Sequence, residues 1–172
     1  KKYSTGEAKR KVDLFFWNTF CDNYLEIIKD RIYNPDKRGL IAKLSAQYTL
    51  YYSLLNILKL ISPITPYITE EIYQLYFKDF EKTKSIHLAQ IPKYDKKLEN
   101  KKLEESGDLF VKVLSEVRKF KSQNQESLKK EIILTLPIEY KLKLKDMLED
   151  LKAVVKANEI KFDKIKEIKI EI

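Results

Sequence analysis

Residues 54–73 have the sequence LLNILKLISPITPYITEEIY, and this stretch decides the fold. An apolar helical run meets Pro63 and Pro66, which lie three positions apart, and a second helical pattern follows. Proline lacks the amide that a helix interior requires and disfavours helix in the residue before it, so Pro63 ends or kinks the first helix. Pro66 suits the first turn of the next helix, with Thr65 as its N-cap. The stretch therefore predicts two helices that meet at a corner.

Apolar residues at helical spacing on both sides of this corner predict four long helices. They cover about residues 5–33, 36–61, 66–80 and 97–123, with a linker at 81–96 that contains a short extended piece. The positions expected in the core are Val12, Phe16, Phe20, Tyr24 and Ile27 in the first helix, Leu40, Leu44, Tyr48, Tyr51, Leu54, Leu55, Leu58 and Ile61 in the second, and Leu103, Phe110, Val113, Leu114 and Val117 in the fourth.

After residue 130 the period of the pattern changes from helix to strand. Apolar side chains alternate over residues 132–136 and again over 159–162 and 166–172, while residues 142–155 keep a helical spacing. These segments predict a small β-α-β module. The predicted fold is therefore mainly α: a helical bundle at residues 1–125 followed by an α/β C-terminal module at 126–172.

Composition limits the class of protein. The chain has 172 residues, 44% of them hydrophobic and only 3 glycines, which suits long helices and argues against a turn-rich all-β fold. Its net charge of +8 favours a polyanionic partner, although lysine-rich helices are also common as ordinary solvated surfaces. One cysteine excludes an internal disulfide and predicts a reducing, cytoplasmic location. No apolar run approaches the roughly 20 residues of a membrane span.

Four segments, in order along the chain, resemble one known family. They are FWNTFCDNYLE at residues 16–26 with Lys29 and Arg31 after it, the proline corner at 62–66, SIHL at 85–88 with Pro92, and VRKFK at 117–121. Together they resemble the anticodon-binding region of class I aminoacyl-tRNA synthetases of the valyl, isoleucyl and leucyl group. The first segment is most typical of the valyl branch. The resemblance extends from about Ala8 over nearly the whole chain.

The resemblance implies a function and a set of partners. It implies a bundle that grips the anticodon stem-loop of tRNA, joined in the same chain to catalytic and editing domains that use ATP to charge tRNA with valine. The family's ATP-binding signatures are missing here, so this fragment is expected to hold no cofactor and to bind without catalysing. Because the chain begins at Lys1 within a helical pattern, we expect an N-terminally truncated bundle. Asn23, where many bacterial valyl enzymes have Trp, hints at an archaeal-like branch.

The residues themselves predict no catalytic or metal site. His87 is the single histidine and Cys21 the single cysteine, and they fall on separate predicted elements, so a Cys–His pair or a zinc site would need ligands that the chain does not have. The acidic pair Glu70 and Glu71 lies near a helix start, where the helix dipole explains it without an acid–base role.

Helix one offers candidate RNA-binding residues. At 100° per residue, Asn18, Asp22, Leu25 and Lys29 fall in one stripe opposite the core positions, and Lys11 extends it by two turns. Amides, carboxylates, an apolar side chain and a cation on one face suit an unpaired RNA loop, which is read by base-edge hydrogen bonds, apolar contact and phosphate pairing. The stripe could equally pack on a neighbouring helix.

Three further cations, Arg31, Arg118 and Lys121, lie in basic clusters that we expect to contact RNA phosphates. The alternative for each of them is an ordinary solvated helix face. At the level of the whole chain two alternatives stay open: the same domain of an isoleucyl or leucyl enzyme, and a helical protein–protein interaction module.

Overall fold

The computed structural model describes residues 4–172, so the expected start inside a helix at Lys1 lies outside the described residues. The helices are Thr5–Leu14 (α1), Leu25–Tyr33 (α2), Pro35–Arg38 (α3), Leu40–Ile61 (α4), Pro66–Tyr76 (α5), Lys78–Glu81 (α6), Lys101–Gln123 (α7), Tyr140–Leu144 (α8) and Leu148–Val155 (α9). The strands are Ile132–Pro137 (β1), Ala157–Asp163 (β2) and Lys169–Glu171 (β3). A π-helical segment, Phe15–Tyr24, lies between α1 and α2, and 3₁₀ turns occupy Ile86–Leu88, Lys96–Leu98 and Lys145–Met147. The mainly α fold with a small α/β module is confirmed.

These elements form two compact units. The first consists of the residues up to Leu25 together with Pro35–Asp95, and the second of Glu26–Asn34 together with Lys96–Ile172. The division differs from the one predicted at residue 125, because α7, expected in the bundle, belongs to the unit that contains the sheet. Periodicity identifies α7 as amphipathic but does not say what its apolar face packs against.

In the first unit, the corner predicted from the prolines is present. The helix α4 ends at Ile61 and α5 begins at Pro66, whose missing amide costs nothing at the first helical position. Thr65 precedes α5, but its side chain does not cap the helix as expected. Its hydroxyl instead donates to the carbonyl of Ile61, 3.4 Å away, so Thr65 belongs to the end of the preceding helix as much as to the start of the next.

Glu70 holds the linker that follows these helices. One of its carboxylate oxygens, Oε2, accepts hydrogen bonds from the Ser85 hydroxyl at 2.8 Å and the Ile86 amide at 3.0 Å, while Oε1 accepts from the Gln74 amide at 2.6 Å. Within the linker, which was predicted to contain a short extended piece, Ile86–Leu88 form a 3₁₀ turn, and its first amides donate to Glu70 and to the Ser85 hydroxyl. Burial raises the pKa of Glu70, but the hydrogen bonds and nearby His87 outweigh it and leave the pKa below its usual value.

The core of the first unit lies at the C-terminal half of α4. Five buried side chains form it, from α4, from α5 and the residue that follows α5, and from the 3₁₀ turn: Leu55, Leu58, Tyr73, Phe77 and Ile86. The expectation that Leu40, Leu44 and Tyr48 are core residues is wrong, since all three are more than half exposed. Helical spacing places these residues on one face of α4. Within residues 4–172, that face is buried near the corner and exposed towards the start of the helix.

Gly39 explains why the second predicted helix is interrupted. Its φ of +84° lies in the left-handed region, which glycine adopts without steric cost, and it separates the short α3 from α4. The third predicted helix is also interrupted, at Phe77 between α5 and α6, where φ is −122°. Both predicted helices exist, but each consists of two pieces.

In the second unit, the sheet has the order β2-β1-β3, with β2 parallel and β3 antiparallel to β1. The predicted alternation holds in β1, where Ile132, Leu134 and Leu136 are fully buried. They pack with one apolar face of α7, formed by Phe110, Val113, Leu114 and Val117, and with Leu144, Leu151 and Val155 of the crossover helices. Leu103, expected in the core, is exposed. The predicted β-α-β module is therefore present, with α7 as its cover.

We predict that Glu70→Gln lowers the free energy of unfolding by about 1–2 kcal/mol near neutral pH, since hydrogen bonds to a charged group are worth more than those to a neutral one. A carboxylate with a lowered pKa stabilises the fold above its unfolded pKa, and this contribution disappears as the pH falls through the lowered value. The difference between wild type and Glu70→Gln in urea unfolding should therefore shrink from about pH 7 to about pH 3.

The neighbouring exposed Glu71 provides the matched control, because Glu71→Gln removes the same charge from the same helix, α5. Its effect should stay within about 0.5 kcal/mol at every pH. Equal losses in the two variants would show that Glu70 acts through helix electrostatics, not through its hold on the linker.

Candidate nucleic-acid interface

Of the eight predicted RNA-binding residues, four lie in the first unit: Lys11, Asn18, Asp22 and Leu25. Lys11 is exposed and pairs with Glu7 one turn earlier, at 3.3 Å. Asn18 and Asp22 are exposed as well, and Leu25 is half-buried. Three of the four side chains are therefore open to a partner, and Leu25 is partly covered.

The π-helical segment changes the geometry on which the predicted stripe depends. The Leu25 amide donates to the carbonyl of Phe20, five residues earlier, and the Asn23 side-chain amide donates to the carbonyl of Asn18 at 2.7 Å, also five residues earlier. Such i→i+5 bonding holds more residues in each turn than an α-helix does. A rotation of 100° per residue therefore does not apply between Phe15 and Tyr24, and the predicted stripe is displaced there.

The aromatic residues of this segment fit the wider turn. The rings of Phe16, Phe20 and Tyr24 follow one another four residues apart, with centroids 6.1 and 6.0 Å apart and nearly parallel planes. Phe20 is buried, and the Tyr24 hydroxyl donates to the carbonyl of Ala46 in α4 at 3.3 Å. The last ring of this ladder thus attaches the π-helical segment to α4.

Trp17 is a candidate contact that helical spacing did not identify. It is 60% exposed, and its ring lies edge-on to that of Phe16, with the two ring centroids 5.1 Å apart. Exposed aromatic rings are the usual stacking partners of unpaired bases. The sequence does contain a signal for this contact, since Trp17 is part of the 16–26 motif that carries the family resemblance.

The first unit also contains an apolar groove of about 360 Å³. Lys11, Val12 and Phe15 line it from one side, and Tyr52 and Asn56 of α4 are among the residues on the other. Lys11 places a cation, and Asn56 an amide, at the rim of an otherwise apolar surface.

Arg31, in the second unit, was predicted to contact RNA phosphates, but its guanidinium group pairs with a carboxylate of the chain itself. Its Nε donates to Oδ1 of Asp150 at 2.8 Å and its Nη2 donates to Oδ2 of the same carboxylate. The Asp150 side chain is only 3% exposed. A bidentate pair with a buried carboxylate satisfies the planar fork of arginine and holds α2 against α9. The structure gives Arg31 a structural role.

Lys121 is also placed where RNA cannot reach it. It is 1% exposed, and its ammonium group donates to the carbonyls of Leu128 at 3.0 Å, Lys130 at 2.6 Å and Val155 at 2.9 Å. Burial lowers the pKa of Lys121, and the charge of Lys156 lowers it further. The expectation of a phosphate contact is corrected here, because the three donors of this ammonium group all bond to the backbone.

Lys29 and Arg118, the remaining predicted residues, line one cavity of about 470 Å³ in the second unit. Lys29 is exposed and pairs with Glu26 at 2.6 Å. The same cavity is lined by Lys129 and Lys156, which the sequence analysis did not single out. The structure thus brings together two predicted cations and adds two that lie far apart in the sequence.

Cys21 and His87 lie on separate elements, the π-helical segment and the 3₁₀ turn at Ile86–Leu88. Burial raises the pKa of the Cys21 thiol, and the charge of Asp22 raises it further, which keeps the thiol protonated. His87 Nε2 lies 3.9 Å from the Glu70 carboxylate that holds its own turn. Across residues 4–172, the side chains of His, Cys, Asp and Glu form no group of three or more that could hold a metal ion. Within the same range no helix is both long and apolar enough to span a bilayer.

Comparison of the sequence with known protein families identifies one family for most of the chain. Residues 1–140 match the model of a family described as the anticodon-binding domain of tRNA ligase. The match includes the π-helical segment, the proline corner, α7 and β1. The chain belongs to this family.

Individual relatives narrow the resemblance to one branch. The chain is 38% identical over 172 residues to a valine–tRNA ligase of Rickettsia canadensis, which covers all of this chain and 20% of the relative. It is 44% identical over 124 residues to that of a Wolbachia species from Brugia malayi and 38% identical over 124 residues to that of Pyrococcus abyssi, each covering 72% of this chain and 14% of the relative. The chain thus spans a fifth or less of these relatives. The predicted resemblance to the valyl branch is confirmed, and the isoleucyl and leucyl alternatives are not favoured.

We predict that Arg31→Met destabilises the chain by about 3–5 kcal/mol, because it leaves the buried Asp150 carboxylate without its partner. The double variant Arg31→Met with Asp150→Leu should recover a large part of that loss, since no uncompensated charge is then buried. Urea unfolding of both single variants and the double variant measures the coupling.

The exposed pair of Lys143 and Glu105, 3.1 Å apart, is the control. Lys143→Met should cost less than about 1 kcal/mol, as exposed pairs do. An Arg31→Met variant as stable as Lys143→Met would contradict the structural role of Arg31.

Proposed function

We propose that this chain binds the anticodon stem-loop of a tRNA as part of a valine–tRNA ligase. In that enzyme, other domains of the same polypeptide would use ATP to attach valine to the tRNA, in the cytoplasm. The observation that carries the proposal is the match of residues 1–140 to the anticodon-binding family, together with relatives that are valine–tRNA ligases.

The exposed surface of the π-helical segment supports a role in base recognition. Trp17 offers a ring for stacking, Asn18 an amide that can both donate and accept, and Asp22 a carboxylate that can accept from base amino groups. Unpaired anticodon bases expose the edges and faces that these three groups recognise. The net charge of +8 supports the phosphate contacts that every such complex needs. A protein–protein interaction module requires neither feature.

Titration of a labelled valine tRNA with the 172-residue chain at several salt concentrations tests the proposal. Binding should be measurable at about 50 mM salt and should weaken steeply towards about 200 mM. A tRNA with a different anticodon should bind less tightly at every salt concentration. Failure to bind at the lowest salt would favour an interaction module over a tRNA-binding domain.

We predict that Asn18→Ala and Lys29→Ala affect binding differently. Asn18→Ala should reduce the discrimination between valine and altered anticodons by about 1–3 kcal/mol and leave the salt slope unchanged, because a base-edge amide reads sequence and carries no charge. Lys29→Ala should weaken binding to all tRNAs about equally and lower the salt slope by about 1. Filter binding with both tRNAs over a salt series measures both quantities.

Thr19→Ala is the matched control for Asn18→Ala, because Thr19 is the next residue of the same segment and is also exposed. It should change neither discrimination nor slope. If Thr19→Ala and Asn18→Ala reduce discrimination equally, the effect comes from the helix segment as a whole, and Asn18 is not a base contact.

A further inference from the structure

The cavity of about 470 Å³ in the second unit is lined by more cations than anions. Lys29, Arg118, Lys129 and Lys156 contribute accessible cationic side chains to its lining, and Glu26 and Asp30 contribute the two acidic groups. Both acids already have partners close in sequence: Glu26 pairs with Lys29, and Asp30 accepts from the Asn34 amide at 2.7 Å. The local potential is therefore positive.

Lys129 and Lys156 dominate this positive potential. Both are exposed, and among residues 4–172 neither ammonium group has an acidic partner. Two other exposed lysines of the same unit have acidic partners, Lys143 with Glu105 and Lys161 with Glu159. Two unpaired ammonium groups at one cavity are available to an anion from outside.

The buried ammonium group of Lys121 fixes the backbone that carries both lysines. It bonds to the carbonyls of Leu128 and Lys130, on either side of Lys129, and to the carbonyl of Val155, directly before Lys156. One buried charge therefore holds two segments, about 27 positions apart in the sequence, beside the same cavity. Preorganised cations lose less conformational entropy when they bind a ligand than cations on mobile segments do.

The backbone of Lys156 provides an independent observation. Its φ of +58° and ψ of +45° place it in the left-handed region at the end of α9, where glycine or asparagine is the usual residue. A lysine at this position carries a conformational cost that glycine would avoid. Its side chain lines the cavity.

We propose that this cavity binds the phosphodiester backbone of the tRNA, with Lys129 and Lys156 as its main phosphate ligands and Arg118 and Lys29 at its edge. The proposal rests on the tRNA-binding function proposed above and extends it to the α/β module. Lys156 lies beyond residues 1–140, so the family match alone does not include it. Ammonium groups without acidic partners recognise phosphate oxygens irrespective of base sequence, so this site would add affinity and not discrimination.

The test compares the double variant Lys129→Gln/Lys156→Asn with the double variant Lys143→Gln/Lys161→Gln. Asparagine keeps the left-handed backbone at position 156, and both double variants lose the same net charge from the same unit. The control lysines lie outside the cavity lining. The variant Lys129→Arg/Lys156→Arg keeps both charges, and melting curves of all three establish that they are folded.

Binding of the full 172-residue chain to valine tRNA and to poly(U) is measured over a salt series. The cavity variant should lose about tenfold or more in affinity at about 100 mM salt, and its salt slope should fall by about 1.5, since each phosphate contact contributes about 0.7–0.9. The arginine variant should bind like wild type, and discrimination between anticodons should not change.

Equal losses in the cavity and control variants would overturn the proposal while the tRNA-binding function stands. If wild type binds poly(U) but shows no preference for valine tRNA, and only the cavity variant loses that binding, the phosphate site stands and the anticodon function fails. Absence of binding to both RNAs would overturn both.

Discussion

The second unit depends on one buried charge. Lys121 continues the apolar face of α7, four residues after Val117, yet it ends in an ammonium group that bonds to three backbone carbonyls. Those carbonyls belong to the loop before β1 and to the end of α9. The bond to Val155 is buried, so without Lys121 this carbonyl would lose its partner away from solvent, which costs about 1–3 kcal/mol for a buried group. The lowered pKa of Lys121 reflects the cost of placing the charge there.

The same arrangement connects stability with binding. A charge that is fully used by the backbone cannot contact a ligand, but it can hold other charges in place. Lys121 does so for Lys129 and Lys156, and the pair of Arg31 with Asp150 does so for α2, which carries Lys29. The buried ionic groups thus hold the backbone in place, and the exposed cations that it carries form the surface available to an anion. Basic residues that lie close in the sequence can therefore have different roles: Lys121 is buried and supports the backbone, whereas Arg118 lines the cavity.

Sequence periodicity predicted the helices, the corner and the strands, because each depends on local spacing and on proline. It did not predict which basic residues are buried. The sequence spacing of a lysine or arginine can be the same whether its side chain is solvated or part of a buried hydrogen-bond network. A signal existed: Lys121 lies seven residues after Leu114 and four after Val117, on the apolar stripe of α7. The π-helical turn left no such signal, because the aromatic residues of 16–26 also fit an α-helix. The position of α7 beside the sheet depends on long-range packing that spacing does not encode.

Glu70 in the first unit and Lys121 in the second follow the same physical rule. Regular helices and strands satisfy their own amides and carbonyls, whereas turns and loops cannot, so a charged side chain from a neighbouring helix supplies the missing partner. Glu70 accepts from the Ile86 amide, and Lys121 donates to the carbonyls of Leu128 and Lys130. The charged residues that hold irregular segments are therefore the ones least available to RNA. Candidates for binding are found among the cations and amides without this task, such as Asn18, Lys129 and Lys156.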